Sequence, residues 1–169
     1  MKEICTQYAV YNVWANQRIL QRVMELSEQE VHQQLSSSYP SIFRTVLHMW
    51  DAESMWWQRL KLQEKVVRPS DSAPDNLANV SKSLLDQSGK WSNWVSRASE
   101  HALEHVFAYQ NTKREQFKQP VYQVVIHLVN HSSYHRGQLV NMLRQLNHGN
   151  IPATDFIVWS RTIKIAPAQ

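Results

Sequence analysis

The sequence predicts an all-α fold, a four-helix bundle with a long crossover connection between its second and third helices. Three observations carry that expectation. Four long stretches repeat apolar residues at three- and four-residue steps, the period of a helix with one buried face. Only three glycines occur in 169 residues, and the six prolines fall mostly between those stretches, which is scarce punctuation for short strands and tight turns. Between the second and third stretches, EKVVRPSDSAP at 64–74 is a loop by composition and too long for a helix hairpin. Length and an apolar content of 43% suit one domain over residues 1–169 with a single core.

The elements follow in order. Ile4, Tyr8, Tyr11, Ala15, Ile19, Val23 and Leu26 define a first helix from about residue 2 to residue 26. SSSYP at 36–40 breaks the pattern and leaves Ser41 placed to cap the second helix, about 41 to 62. That helix, with Phe43, Val46, Met49, Trp50, Trp56 and Trp57, is apolar nearly all round, so it is central or packs on a second subunit. A third helix runs from Pro74 or Asp75 to His101, with Gly89 marking a candidate bend. EHVFAYQNTKREQFKQP suggests two short strands around Asn111–Thr112. The fourth helix begins near Pro120, as a first-turn residue, and ends near NHGN at 147–150; TDFIVWSRTIK closes the chain as a short amphipathic helix.

Composition excludes several function classes. The net charge of +4 is spread without any basic run, which argues against a nucleic-acid binder. The lone Cys5 rules out an internal disulfide and a cysteine zinc cluster, and reads as an ordinary helix residue. No stretch approaches the roughly 18 apolar residues of a membrane span, and MKEI enters the periodic pattern without a leader, so a cytoplasmic protein is expected. No glycine-rich phosphate loop or nucleophile elbow is present. The seven tryptophans sit at helical spacing and read as core or dimer contact.

The chemistry-bearing feature is HLVNHSSYHRGQL at 127–139, with a histidine in each helical turn. On a helical wheel His131 and His135 fall in the apolar stripe with Val124, Leu128 and Met142, and His127 at its edge. Burying two imidazoles four residues apart is costly unless every ring nitrogen finds a partner, and two protonated rings would repel. A divalent cation resolves both problems, since neutral imidazoles at i and i+4 can hold one ion; hydrogen-bonded core histidines are the alternative. The zinc-protease pattern is absent, because Ser132 follows His131. A third ligand must come from another helix. His48 is the only histidine of the second helix, with Asp51, Glu53, His101 and His105 as competitors. The two acids read more economically as solvated or as partners of ligands, and HALEH, with its two histidines, as a frayed polar turn ending the third helix.

At these residues the sequence resembles the DinB family, also described as DinB/YfiT-like. YNVWANQRIL at 11–20 looks like the family's first-helix signature, and SIFRTVLHMWDAESMWWQRL at 41–60 like its second helix with a single histidine. HLVNHSSYHRGQL matches its most specific motif, and PATDFIVW at 152–159 looks familiar in the same order. The resemblance implies a four-helix bundle, commonly a homodimer, holding a divalent metal through His48, His131 and His135, with His127, Arg136 and Gln138 supporting the site. Gly137, on the polar side, would allow close backbone approach. Zinc or nickel is the expected ion, since imidazole suits both. Some relatives are thiol-dependent, so the implied activity is a transferase or hydrolase joining a low-molecular-weight thiol, or water, to an electrophilic small molecule. The alternative is a non-catalytic metal-containing binding protein of a stress response.

Overall fold

A computed structural model describes residues 1–72 and 76–163. Among these residues the chain forms seven α-helices, a single 3-10 turn at Pro69–Asp71 and one two-stranded antiparallel hairpin. The helices are α1 (Lys2–Val23), α2 (Glu28–His32), α3 (Ile42–Leu60), α4 (Leu77–Arg97), α5 (Glu100–Glu104), α6 (Val121–Gln145) and α7 (Phe156–Ser160). The strands are β1 (Val106–Gln110) and β2 (Gln116–Pro120), paired in register from Val106 opposite Pro120 to Gln110 opposite Gln116. No helix among the described residues is long and apolar enough to cross a membrane.

Capping chemistry explains where the boundaries differ from the periodic reading. The first helix stops at Val23 because Ser27 and Glu30 form a capping box that starts α2, each side chain bonded to the other's backbone N–H. Ser41 caps α3 as expected, its Oγ accepting from the Arg44 N–H at 3.2 Å. The predicted third helix divides: α4 ends at Arg97, Ala98 is extended, and Ser99 caps α5 by accepting from Ala102 N–H. His101–Glu104 therefore belong to a separate short helix with Leu103 buried, and His105 follows its end. The predicted start at Pro74 or Asp75 lies outside the described residues, as does Lys164 at the end of the closing segment. Gly89 sits inside α4, and Pro120 is the residue that caps α6 while ending β2.

α1 packs on α4 and α6, and α3 packs on the same two helices. Two apolar clusters lie toward opposite ends of these four rods. One contains Ile19 and Val23 of α1, Val46 and Met49 of α3, Val80 and Leu84 of α4, and Leu139 and Leu143 of α6. The other contains Cys5 and Ala9, Trp91 and Val95, and Val124 and Leu128, with Trp57 packed against it. The order in which each helix meets the clusters gives its direction: α1 and α6 run one way, α3 and α4 the other. Parallel neighbours cannot be joined by a tight turn, so the chain after α3 has to travel back before α4 begins.

Between the clusters all four rods contribute to one polar layer. Arg136, 1% exposed, donates from Nη1 to Asn12 Oδ1 at 2.9 Å and Asn16 Oδ1 at 2.7 Å, and from Nη2 to Ser133 Oγ at 2.8 Å and Tyr11 OH at 3.3 Å. Glu53, equally buried, accepts from Asn12 Nδ2 at 2.9 Å, Ser88 Oγ at 2.8 Å and Ser132 Oγ at 3.3 Å. The amides of α1 thus stand between a guanidinium and a carboxylate. Burial pushes the Glu53 carboxyl up to about 7, while the hydroxyl and amide donors and the Arg136 charge pull the other way. The expectation of solvated acids fails for both candidates. Asp51 is also buried, and accepts from Ser70 N–H at 2.9 Å and Ser70 Oγ at 2.6 Å.

Two predictions about stability come from this architecture. Removing Arg136 strands the Asn12 and Asn16 oxygens and leaves Glu53 uncompensated, so Arg136→Ala should cost about 3–5 kcal/mol in urea unfolding. A loss under about 1 kcal/mol would mean the layer carries little of the fold. The second concerns the end of α3, where Leu62 N–H bonds Arg59 O and Gln63 N–H bonds Gln58 O, the pattern that usually has glycine at its left-handed position. Leu62 occupies that position at φ 51° and is exposed, so Leu62→Gly should raise stability by about 0.5–1 kcal/mol, read as a higher thermal midpoint.

Candidate metal centre

Three imidazoles converge between α3 and α6. His131 Nε2 lies 3.1 Å from His48 Nε2 and 3.1 Å from His135 Nε2, and the three donor atoms all fall within 4.8 Å of one another. His135 is buried, while His131 and His48 are half-buried. Nitrogens bound to a tetrahedral ion at 2.0–2.1 Å would be about 3.3 Å apart, so the spacing suits a shared cation.

Contacts on the far side of the rings decide which nitrogen carries the proton. Gln138 Nε2 donates to Ser38 Oγ at 2.9 Å, which leaves its Oε1 as the acceptor facing His135. The 2.7 Å contact between Gln138 Oε1 and His135 Nδ1 is then an N–H donated by the ring, and His135 Nε2 presents a lone pair to the centre. His48 Nδ1 meets Tyr39 OH at 2.7 Å, and the Tyr39 ring lies against the His48 ring at 4.2 Å between centroids. A single proton can bridge His131 to one neighbour only, so the remaining lone pairs face each other unless a cation sits among them. The donor set therefore fits a divalent ion.

Electrostatics agree with neutral rings. Burial, reinforced by the neighbouring imidazoles, holds His131 down to about 3. Burial first, then His135 and Arg68, holds His48 down to about 4. His135 is lowered by burial against the opposing Gln138 hydrogen bond.

The structure brings together His48, His131, His135 and Gln138. His127 is exposed and lies one turn away, its ring 5.8 Å from His131 and 5.5 Å from Trp56. Arg136 spends its hydrogen bonds on the α1 side, in the polar layer. Gly137 faces open space, with nothing within 4 Å of where a Cβ would stand, so no close backbone approach explains it. The competitors fall elsewhere: His101 is exposed on α5, His105 is exposed beyond its end, and Asp51 and Glu53 hold other partners. The apolar-stripe reading also shifts. The most buried line of α6 runs through Leu128, Ser132, Arg136 and Leu139, so His131 sits at its edge.

Sequence reasoning missed Tyr39 and Ser38, which were read only as a helix break, and missed the polar layer. A signal existed for the latter, since Asn12 and Asn16 are spaced four apart on the buried face of α1.

Fold and site together define a class: a mostly helical protein with a group of three histidines, from two helices, able to hold a metal ion. The DinB family model matches residues 1–162, and the chain belongs to that family. Among curated proteins it is similar to Protein DinB of Bacillus subtilis (strain 168), 27% identical over 165 residues, covering 92% of this chain and 93% of that relative.

A pH prediction follows for the metal-free protein. His48 and His131 titrate lower when folded than the ordinary histidine near 6.5, so the unfolded chain binds more protons between that pH and about 3 to 4. Stability should be complete above about pH 6.5 and fall steadily as the pH drops through that window. Thermal midpoints between pH 7 and 4 test this, and His131→Gln should flatten the slope; equal slopes would count against neutral, crowded rings.

Proposed function

We propose that this chain is a four-helix-bundle metalloprotein of the DinB type. His48, His131 and His135 hold one divalent ion, zinc or nickel by ligand chemistry. The reading rests on one observation above all. Three Nε2 atoms face one another, with the His131 nitrogen 3.1 Å from each of the other two, while His135 Nδ1 is engaged by a carbonyl acceptor.

Three protein ligands leave coordination positions open, the arrangement of catalytic rather than structural sites. A divalent ion in such a site lowers the pKa of bound water toward about 7, or holds a thiol as thiolate. The chain's own groups do the rest. Gln138 and Tyr39 orient two of the rings, and Ser38 holds the Gln138 amide in the accepting sense. No cysteine or activated serine stands among the hydrogen-bonding partners of the three rings, which favours a nucleophile brought from outside. The activity proposed is therefore transfer of a small thiol, or of water, to an electrophilic small molecule, by a cytoplasmic homodimer.

Elemental analysis of untagged protein tests the centre. Near-stoichiometric divalent metal should be found in the wild type and lost in His48→Ala, the ligand contributed by the other helix. Equal metal in both would remove His48 from the set. Metal-dependent consumption of an electrophile with added thiol then separates an enzyme from a binding protein, which would hold the ion without turnover.

A further inference from the structure

A large cavity lies further along α3 from the three histidines and plays no part in the reading above. It has a volume of about 1060 Å³ and lies between the second half of α3, the connection after it, and the β1–β2 hairpin. Four basic side chains line it, Arg59, Lys65, Arg68 and Arg114, against two acidic ones, Glu64 and Asp71. No carboxylate among the described residues lies within ion-pair distance of any of the three arginines.

Arg59 is the best-held of these groups. Its Nε donates to Gln110 O at 3.1 Å, and its guanidinium lies over the Trp56 ring at 4.9 Å and the Tyr109 ring at 5.9 Å. That grip uses Nε and the π-face and leaves both Nη groups without an acceptor among the described residues, a preformed fork for an oxyanion. His48, Met55 and Arg59 fall within about 40° of one another around α3, so the histidine centre and the cavity share one face of the helix. The separation from His48 to Arg59 along the axis is about 16 Å. A continuous aromatic path connects the two places, from His131 to His127 at 5.8 Å, to Trp56 at 5.5 Å, to Tyr109 at 4.8 Å.

Resting on the metal-centre reading, we infer that the substrate or co-substrate is an elongated small molecule with a metal-ligating head at the three histidines and a carboxylate tail held by Arg59 in this cavity. The carboxylate is preferred over a doubly charged phosphate because Glu64 and Asp71 share the cavity and would repel the second charge. Arg114 lies at the turn of the hairpin, at φ 65°, where it can add a second donor to the tail. In this assignment Arg59 is a specificity-determining residue that touches the tail and takes no part in the chemistry at the head.

Four kinds of synthetic probe test the assignment on the zinc-loaded protein by calorimetry: a thiol or its S-methyl thioether at one end, a carboxylate or its carboxamide at the other, with spacers of about six to fourteen methylenes to bracket the axial distance. The carboxylate-to-carboxamide ratio reads the cavity, and the thiol-to-thioether ratio reads the metal. At the best spacer the carboxylate should bind about tenfold more tightly than the carboxamide. Arg59→Gln should bring that ratio to within about twofold while carboxamide binding and metal content stay unchanged. Arg114→Gln, on the exposed hairpin turn, should lower the ratio with no effect on folding. Equal binding of carboxylate and carboxamide, or a preference that survives in both variants, overturns the inference. A thiol no better than its thioether, with no zinc retained, overturns the metal centre instead; the thioether pair still reads the cavity in that case.

Discussion

Much of this structure depends on burying a charged residue at the middle of α6. Arg136 lies inside the molecule because four acceptors meet its guanidinium, two of them the paired amides of α1. Those amides pass on to Glu53 of α3, which Ser88 of α4 and Ser132 of α6 also approach. Such an arrangement is weak evidence for net stability, because two charges lose their hydration. Its consequence is registry. Sliding α1 or rotating α6 by a fraction of a turn would leave several buried donors and acceptors unmatched, whereas the apolar clusters on either side could repack at smaller cost.

That registry aims the histidines. Ser132 and Arg136 follow His131 and His135 by one residue each, about 100° around the helix. With Ser132 and Arg136 locked toward the middle, His131 and His135 are turned toward α3 and the segment at 36–40, where His48 and Tyr39 stand. Tyr39 and Gln138 then set the two outer rings, and Ser38 ties Gln138 to the same segment. The convergence of three nitrogens is thus a product of a network that never touches them. A substitution in the layer can disturb the centre without altering a ligand.

Legibility in the sequence followed the strength of each local signal. The long helices announced themselves through periodicity, and the Ser41 cap through its position after Pro40. The hairpin flanking Asn111–Thr112 was visible only as a suggestion, because β1 and β2 are short and mostly exposed. The break that makes α2 was written as Ser27-x-x-Glu30 but was overridden by the apolar rhythm running on to Leu26. The His48, His131 and His135 grouping came from spacing, burial and family resemblance, and the fold brings those rings together. Residue type concealed the polar layer. Arginine and glutamate are read as exposed by default, and only their three-dimensional partners reverse that.

The direction of the helices explains why the large cavity lies where it does. Since α3 and α4 run parallel, the chain after Leu60 must return along the outside. It is held to α3 on the way by two buried polar side chains. Gln58 donates to Val67 O at 2.9 Å and accepts from Val67 N–H at 2.8 Å, and Asp51 accepts from both the backbone and the hydroxyl of Ser70. Burial pushes the Asp51 carboxyl up, against the opposing pull of the two Ser70 donors. The connection is therefore a wall with defined attachment, set opposite the hairpin that Arg59 holds through Gln110. A crossover required by topology thus encloses space along the face of α3 that also carries His48.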